Sequence, residues 1–146
     1  MTSALPRSGR HLASVSSGPS GPLQALLGPG QVLTAPDDLQ PFLLDHRRLY
    51  RGRTFAVALP RSVEEVALLL RFCNDARIGV VPQGGNTGYC GGATPDETGT
   101  QLVLSLQRLN RIRNVDPLNA SMVVEAGCSL ANVQAAAAAS AMFFPL

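Results

Sequence analysis

The sequence predicts an α+β domain. Three observations carry that prediction. A strand, a capped helix and a second strand succeed one another between residues 54 and 82. A glycine-rich loop follows the second strand directly, and three more strand-like runs and an alanine-rich helix come close behind it. Thr54–Leu59 alternates loosely and stops at Pro60, as a short strand does. Ser62 with Glu65 three residues on is a capping box, so a helix begins at Val63. Val66, Leu69, Leu70 and Cys73 recur at helical spacing and give it one buried face. Gly79 is placed to end that helix near Arg77, because glycine takes the left-handed cap. Val80–Pro82 is the next strand, parallel to the first if the helix is a crossover. Leu102–Leu106 and Arg111–Val115 read as strands, and Pro117–Ala120 turns the chain into a third, Met122–Glu125. Gly127 breaks that strand, Ser129 caps, and Leu130–Ala141 is a helix whose five consecutive alanines suit close packing.

The loop is the most informative part of the chain. Of the nine residues from Gly84 to Gly92, five are glycine, and every residue between Gln83 and Thr94 keeps its N–H. Glycine lets a backbone curl and lets a ligand approach it closely. A concave row of N–H donors is a nest for anions, above all phosphate or pyrophosphate. Two common phosphate loops are excluded. A Walker A loop needs a lysine, and all twelve cations here are arginine. A dinucleotide-binding turn needs G-x-G-x-x-G opening into a helix, whereas Ala93–Gly99 is polar and turn-forming. The anion would be held by loop amides with no helix dipole behind them.

At 146 residues the length suits one domain at most. A net charge of +2 is too small and too scattered for a nucleic-acid partner. The clusters Arg47, Arg48, Arg51, Arg53 and Arg108, Arg111, Arg113 read as solvated or paired arginines, one of which could face an anion. Cys73, Cys90 and Cys128 stand too far apart for a C-x-x-C element and suit free thiols in a reducing compartment. Cys73 is expected in the core. The only histidines are His11 and His46, so no metal site is expected. Residues 1–36 hold no acidic residue and are rich in Ser, Gly and Pro, so a disordered extension is expected over 1–21 and the folded domain over 22–146. No apolar run reaches the ~20 residues of a membrane span.

The run Pro82-Gln83-Gly84-Gly85-Asn86-Thr87-Gly88-Tyr89-Cys90-Gly91-Gly92, then Pro95, then Leu102–Leu106, resembles the pyrophosphate loop of FAD-linked oxidases of the vanillyl-alcohol oxidase or p-cresol methylhydroxylase (PCMH) type. Within them it is most similar to the D-2-hydroxyacid dehydrogenase branch. Asp45–Gly52 resembles that branch's Asp–aromatic–Arg…Tyr–x–Gly segment, with His46 where tryptophan would be expected. Ala58–Val66 resembles its helix start, and Val123–Leu130 its third strand and turn. The likeness covers roughly residues 31–146 and implies the first α/β subdomain of a PCMH-type FAD-binding domain. Such a subdomain has a small mixed sheet flanked by helices and here stops short of the second subdomain. The apolar Phe143-Phe144-Pro145-Leu146 fits the front portion of a longer enzyme.

The resemblance implies FAD as cofactor. The amides of Gly84, Gly85, Asn86, Thr87 and Gly88 would hold the diphosphate, aided by the Thr87 hydroxyl and the Asn86 side-chain amide. Pro82 would stiffen the approach, and Gly91 and Gly92 would let the returning chain pass close. Pro145 and Leu146 resemble the segment beside the flavin ring. In covalent relatives a histidine commonly stands where Asn86 does, so non-covalent FAD is expected. No catalytic acid or base is nominated. Glu125 reads as structural and Asp96 with Glu97 as solvated. The substrate-binding and proton-accepting groups are implied to lie beyond Leu146, which leaves this segment inactive by itself. The whole enzyme would oxidise a D-2-hydroxy acid (D-lactate, D-2-hydroxyglutarate or glycolate) and pass electrons to a quinone, cytochrome or electron-transfer flavoprotein. Its place would be the cytoplasm of a bacterium or the mitochondrion of a eukaryote. Three other readings stay open: the flavin lobe of another branch, such as an alditol oxidase or alkyl-glycerone-phosphate synthase; an inactive truncated product; and an unrelated module with a mononucleotide on the loop.

Overall fold

The computed structural model describes residues 19–146. The extension expected over 1–21 lies outside these residues up to position 18. Its last two residues, Ser20 and Gly21, open a helix, α1 (Ser20–Leu27). Leu23 and Leu27, four apart, bury against the core, and Pro22 sits in the first turn, where no intrahelical N–H bond is lost. Gly28, at φ 90°, ends the helix.

A four-stranded mixed sheet follows, made of β1 (Val32–Leu33), β2 (Ala56–Ala58), β3 (Val80–Gln83) and β4 (Leu102–Ser105), in the order β1-β2-β4-β3. β1 runs antiparallel to β2, while β2, β4 and β3 are parallel. The two strands joined by the long helix α3 (Val63–Asp75) are therefore parallel, as expected, with β4 inserted between them. β2 is shorter than the Thr54–Leu59 run because Thr54 turns its hydroxyl onto the Gln101 and Ala56 carbonyls.

Both faces of the sheet are covered. Ala56, Ala58, Leu102 and Leu104 meet Leu23, Leu27, Leu69 and Cys73 of α1 and α3. Val57 and Val103, pointing the other way, meet Leu39 and Leu43 from α2 (Pro36–Leu39) and the 3-10 turn and loop after it. Central strands buried on both faces read as unbroken apolar runs, which is what Ala56–Leu59 and Leu102–Leu104 are. Each fully buried leucine, such as Leu69 or Leu102, contributes roughly 2 kcal/mol through the area it removes from water.

Ser62 caps α3 by accepting the Glu65 N–H at 3.2 Å, and the Glu65 carboxylate reaches back to the Arg61 N–H at 2.6 Å. The end of α3 corrects the sequence expectation: Arg77, not Gly79, takes the left-handed conformation, at φ 56°. Stopping there lets Ile78 donate to the Cys73 carbonyl and pack on the core, and that contact outweighs arginine's backbone strain of about 1 kcal/mol.

An antiparallel hairpin, β5 (Ile112–Asp116) and β6 (Ser121–Val124), leads to α4 (Leu130–Ala139), capped by Ser129 as expected. α4 is two residues shorter than anticipated because Ala141 turns left-handed, at φ 56°. It buries Val133 and Ala137, packs on β5, and leaves Ala135, Ala138 and Ala139 exposed.

Candidate functional site

The glycine loop leaves the C-terminal end of β3, an edge strand, where proline's missing N–H is tolerated. Pro82 pairs in register with Leu104. In the loop only Asn86 (φ 54°) and Gly91 (φ 71°) are left-handed. At Gly91 a Cβ would also stand 2.9 Å from the Tyr50 ring, so the protein's own packing demands glycine there. Gly91 thus admits Tyr50, whatever else passes close to it.

The other loop glycines have no such internal reason. A Cβ at Gly88 or Gly92 would meet nothing within 4 Å, and at Gly84 and Gly85 the nearest atoms lie 3.7 and 3.9 Å away. No backbone N–H from Gly84 to Gly92 donates to an acceptor among the described residues. Free amides beside glycines open to solvent fit a diphosphate that approaches the backbone itself. The loop from Pro82 to Thr94 carries no charged side chain of its own.

The loop is shaped from outside. Gln83, which is buried, is the main staple, donating through Nε2 to the Phe42 carbonyl at 3.1 Å and the Ala93 carbonyl at 2.8 Å. It thereby closes the base of the loop, and it was not among the expected site residues. Asn86 donates its side-chain amide to the Leu44 carbonyl at 2.7 Å, so one of the two hydrogens expected for the cofactor ties the loop down instead. Thr87 is exposed.

The Asp45–Gly52 segment forms the neighbouring wall. Buried Asp45 accepts the Tyr50 N–H at 2.7 Å and the Arg47 N–H at 3.1 Å. These backbone donors, Tyr50 foremost, hold its carboxyl below the usual carboxylate range. His46 stacks on Tyr89 of the glycine loop, with centroids 6.0 Å apart, and so supplies a ring where tryptophan was expected. Arg47 sits 5.3 Å from the same ring. Pro145 and Leu146 are exposed after α4, and no hydrogen bond joins them to the loop among the described residues. A cleft of about 500 Å³ is lined by Tyr50, Val81, Gly91, Gly92 and Thr94, and Gly84 to Gly88 take no part in it.

Glu125 is structural, as expected. Its side chain is 3% exposed and accepts from Arg111 at 2.9 Å and Arg113 at 3.1 Å. The Arg111 hydrogen bonds lead in pulling its pKa from 4.5 to about 2. A depressed folded-state pKa means the stabilisation is complete above about 4.5 and fades as the pH falls toward 2. Thermal unfolding followed across that window is expected to show the loss, and Glu125→Gln to flatten it. Cys73 is buried, and burial pushes its thiol up. No group of potential metal ligands occurs, and no helix is long and apolar enough to cross a membrane, among the described residues.

Comparison with known proteins identifies the family. The FAD binding domain family matches residues 55–146. The chain is 38% identical over 102 residues to the mitochondrial D-2-hydroxyglutarate dehydrogenase of Bos taurus, covering 70% of this chain and 18% of that protein. It is 38% identical over 113 residues to the D-2-hydroxyglutarate dehydrogenase of Xanthomonas citri pv. viticola, covering 77% and 24%. Among solved structures, p-cresol methylhydroxylase with substrate bound superposes with a TM-score of 0.70 at 27% identity, over 82% of this chain and 24% of that one. The chain thus spans about a quarter or less of the proteins it matches. A sheet of this topology, a glycine loop with free amides and these likenesses place the chain in the FAD-binding domain family of PCMH-type oxidoreductases, with FAD as the cofactor.

Proposed function

We propose that this chain is the FAD-binding portion of an oxidoreductase that converts a D-2-hydroxy acid to the 2-oxo acid. D-lactate, D-2-hydroxyglutarate and glycolate are the candidate substrates. The observation that carries the reading is the row of free amides from Gly84 to Gly92 beside glycines that the chain's own packing leaves unexplained. The identity to D-2-hydroxyglutarate dehydrogenases supports the branch. Bound FAD supplies the redox chemistry, and the protein supplies binding and orientation. In this reading Gly84, Gly85, Asn86, Thr87 and Gly88 hold the diphosphate. Gln83 and Asn86 fix the loop's shape beforehand, so little ordering remains to oppose binding. Asn86 cannot form the histidyl–flavin link, so the FAD is non-covalent. Pro145 and Leu146 lie beside the flavin ring only once further chain covers them. Substrate and electron acceptor meet groups outside this segment, which alone turns nothing over.

The test is a chimera in which the matching segment of the Xanthomonas enzyme is replaced by this chain. It is expected to hold FAD and to be bleached anaerobically by one of the three hydroxy acids, while the FAD-loaded segment alone is not. A chimera that holds FAD but is reduced by none of them would sink the hydroxy-acid assignment.

A further inference from the structure

The diphosphate of FAD brings about two negative charges, whereas the loop offers only partial positive charge from its amides, with no helix dipole behind them. The neighbouring wall carries four arginines. Of the four arginines between residues 47 and 53, Arg51 donates to Gln40 and Arg53 lies near Gly99. Arg51 also lines the cleft beside Gly91 and Gly92, whereas Arg47 has its guanidinium set over the Tyr89 ring of the glycine loop. Its position is fixed at both ends: the Asp45 carboxylate takes its backbone N–H, and the ring takes its side chain. Asp45 itself points back into its own turn, onto the Arg47 and Tyr50 amides. The Arg47 guanidinium makes no side-chain hydrogen bond and no ion pair among the described residues, where the ion pairs present belong to Arg111 and Arg113. Stacking on a ring leaves the guanidinium's N–H edge available, and that edge matches phosphate oxygens.

We propose that Arg47, docked on Tyr89, is the counter-charge of the diphosphate site. It is a cofactor-positioning residue that sets FAD affinity. The inference rests on the glycine loop being the diphosphate site.

The experiment measures the FAD dissociation constant by flavin fluorescence at low and high salt. Arg47→Gln is expected to weaken binding about tenfold at low salt and to flatten the salt dependence. Arg47→Lys keeps the charge but loses the planar, stacked N–H edge, and should fall between the parent and Arg47→Gln while keeping the parent's salt slope. Arg71→Gln, an exposed change on α3, should leave the constant unchanged. An Arg47→Gln protein within about twofold of the parent, with the same salt slope, would overturn the proposal and leave the loop assignment standing. A parent chain with no FAD affinity would overturn both.

Discussion

Gly52→Ala is expected to destabilise the domain by about 3 kcal/mol, the upper end of what forced overpacking costs. A Cβ on Gly52 would stand 1.7 Å from the Pro95 carbonyl oxygen and 2.9 Å from that of Asp96. Both obstacles are backbone, so no side chain can swing aside. The two segments are also bonded at this crossing, where Arg53 donates to the Asp96 carbonyl at 2.7 Å, while Gly52 itself is held from the other side by donating to the Leu43 carbonyl at 2.9 Å. Relief therefore means separating the Asp45–Gly52 wall from the returning half of the glycine loop. With an ordinary urea dependence the unfolding midpoint should fall by about 1–2 M. A midpoint equal to that of the parent would show that the crossing is looser than described.

Gly85→Asp should have the largest effect on cofactor binding, about a hundredfold loss of FAD affinity, since like charges brought together cost several kcal/mol. The substitution is clean because the fold tolerates it. Gly85 is not left-handed, and the nearest atom to its Cβ is the Thr87 methyl at 3.9 Å. The urea midpoint should accordingly stay where it is, which separates this variant from Gly52→Ala. Gly85→Ala, adding bulk without charge, should fall between parent and aspartate. An aspartate variant that binds FAD as the parent does would mean the anion sits elsewhere.

Local chemistry was legible wherever the cause was local. The Ser62 and Ser129 caps, the burial of Leu69 and Cys73 on α3 and the two apolar central strands follow from neighbouring residues, and the structure places each where expected; Leu70, expected on the same buried face, is exposed instead, and Phe72 packs against the core with Val66. Gly79 misled because a helix end is decided by what the next residue must reach, and Ile78 has to reach Cys73. α1 was hidden by its Ser-Gly-Pro composition, although Leu23 and Leu27 carry helical spacing. The shaping of the loop could not be read at all. Gln83 answers carbonyls at positions 42 and 93, Asn86 one at 44, and Tyr89 receives rings and cations from 46 and 47. No spacing in the chain announces such pairings, most of which span some forty residues; only the close approach at Gly52 and Gly91 hints that two segments press together.

The most direct measurement is the visible absorption spectrum of the purified chain after saturation with FAD and desalting, beside Gly85→Asp treated identically. The account predicts flavin bands retained by the parent, lost from the variant, and released into solution when the parent is denatured, as Asn86 requires. A folded parent that comes off the column colourless would contradict the claim that the glycine loop of this chain binds FAD.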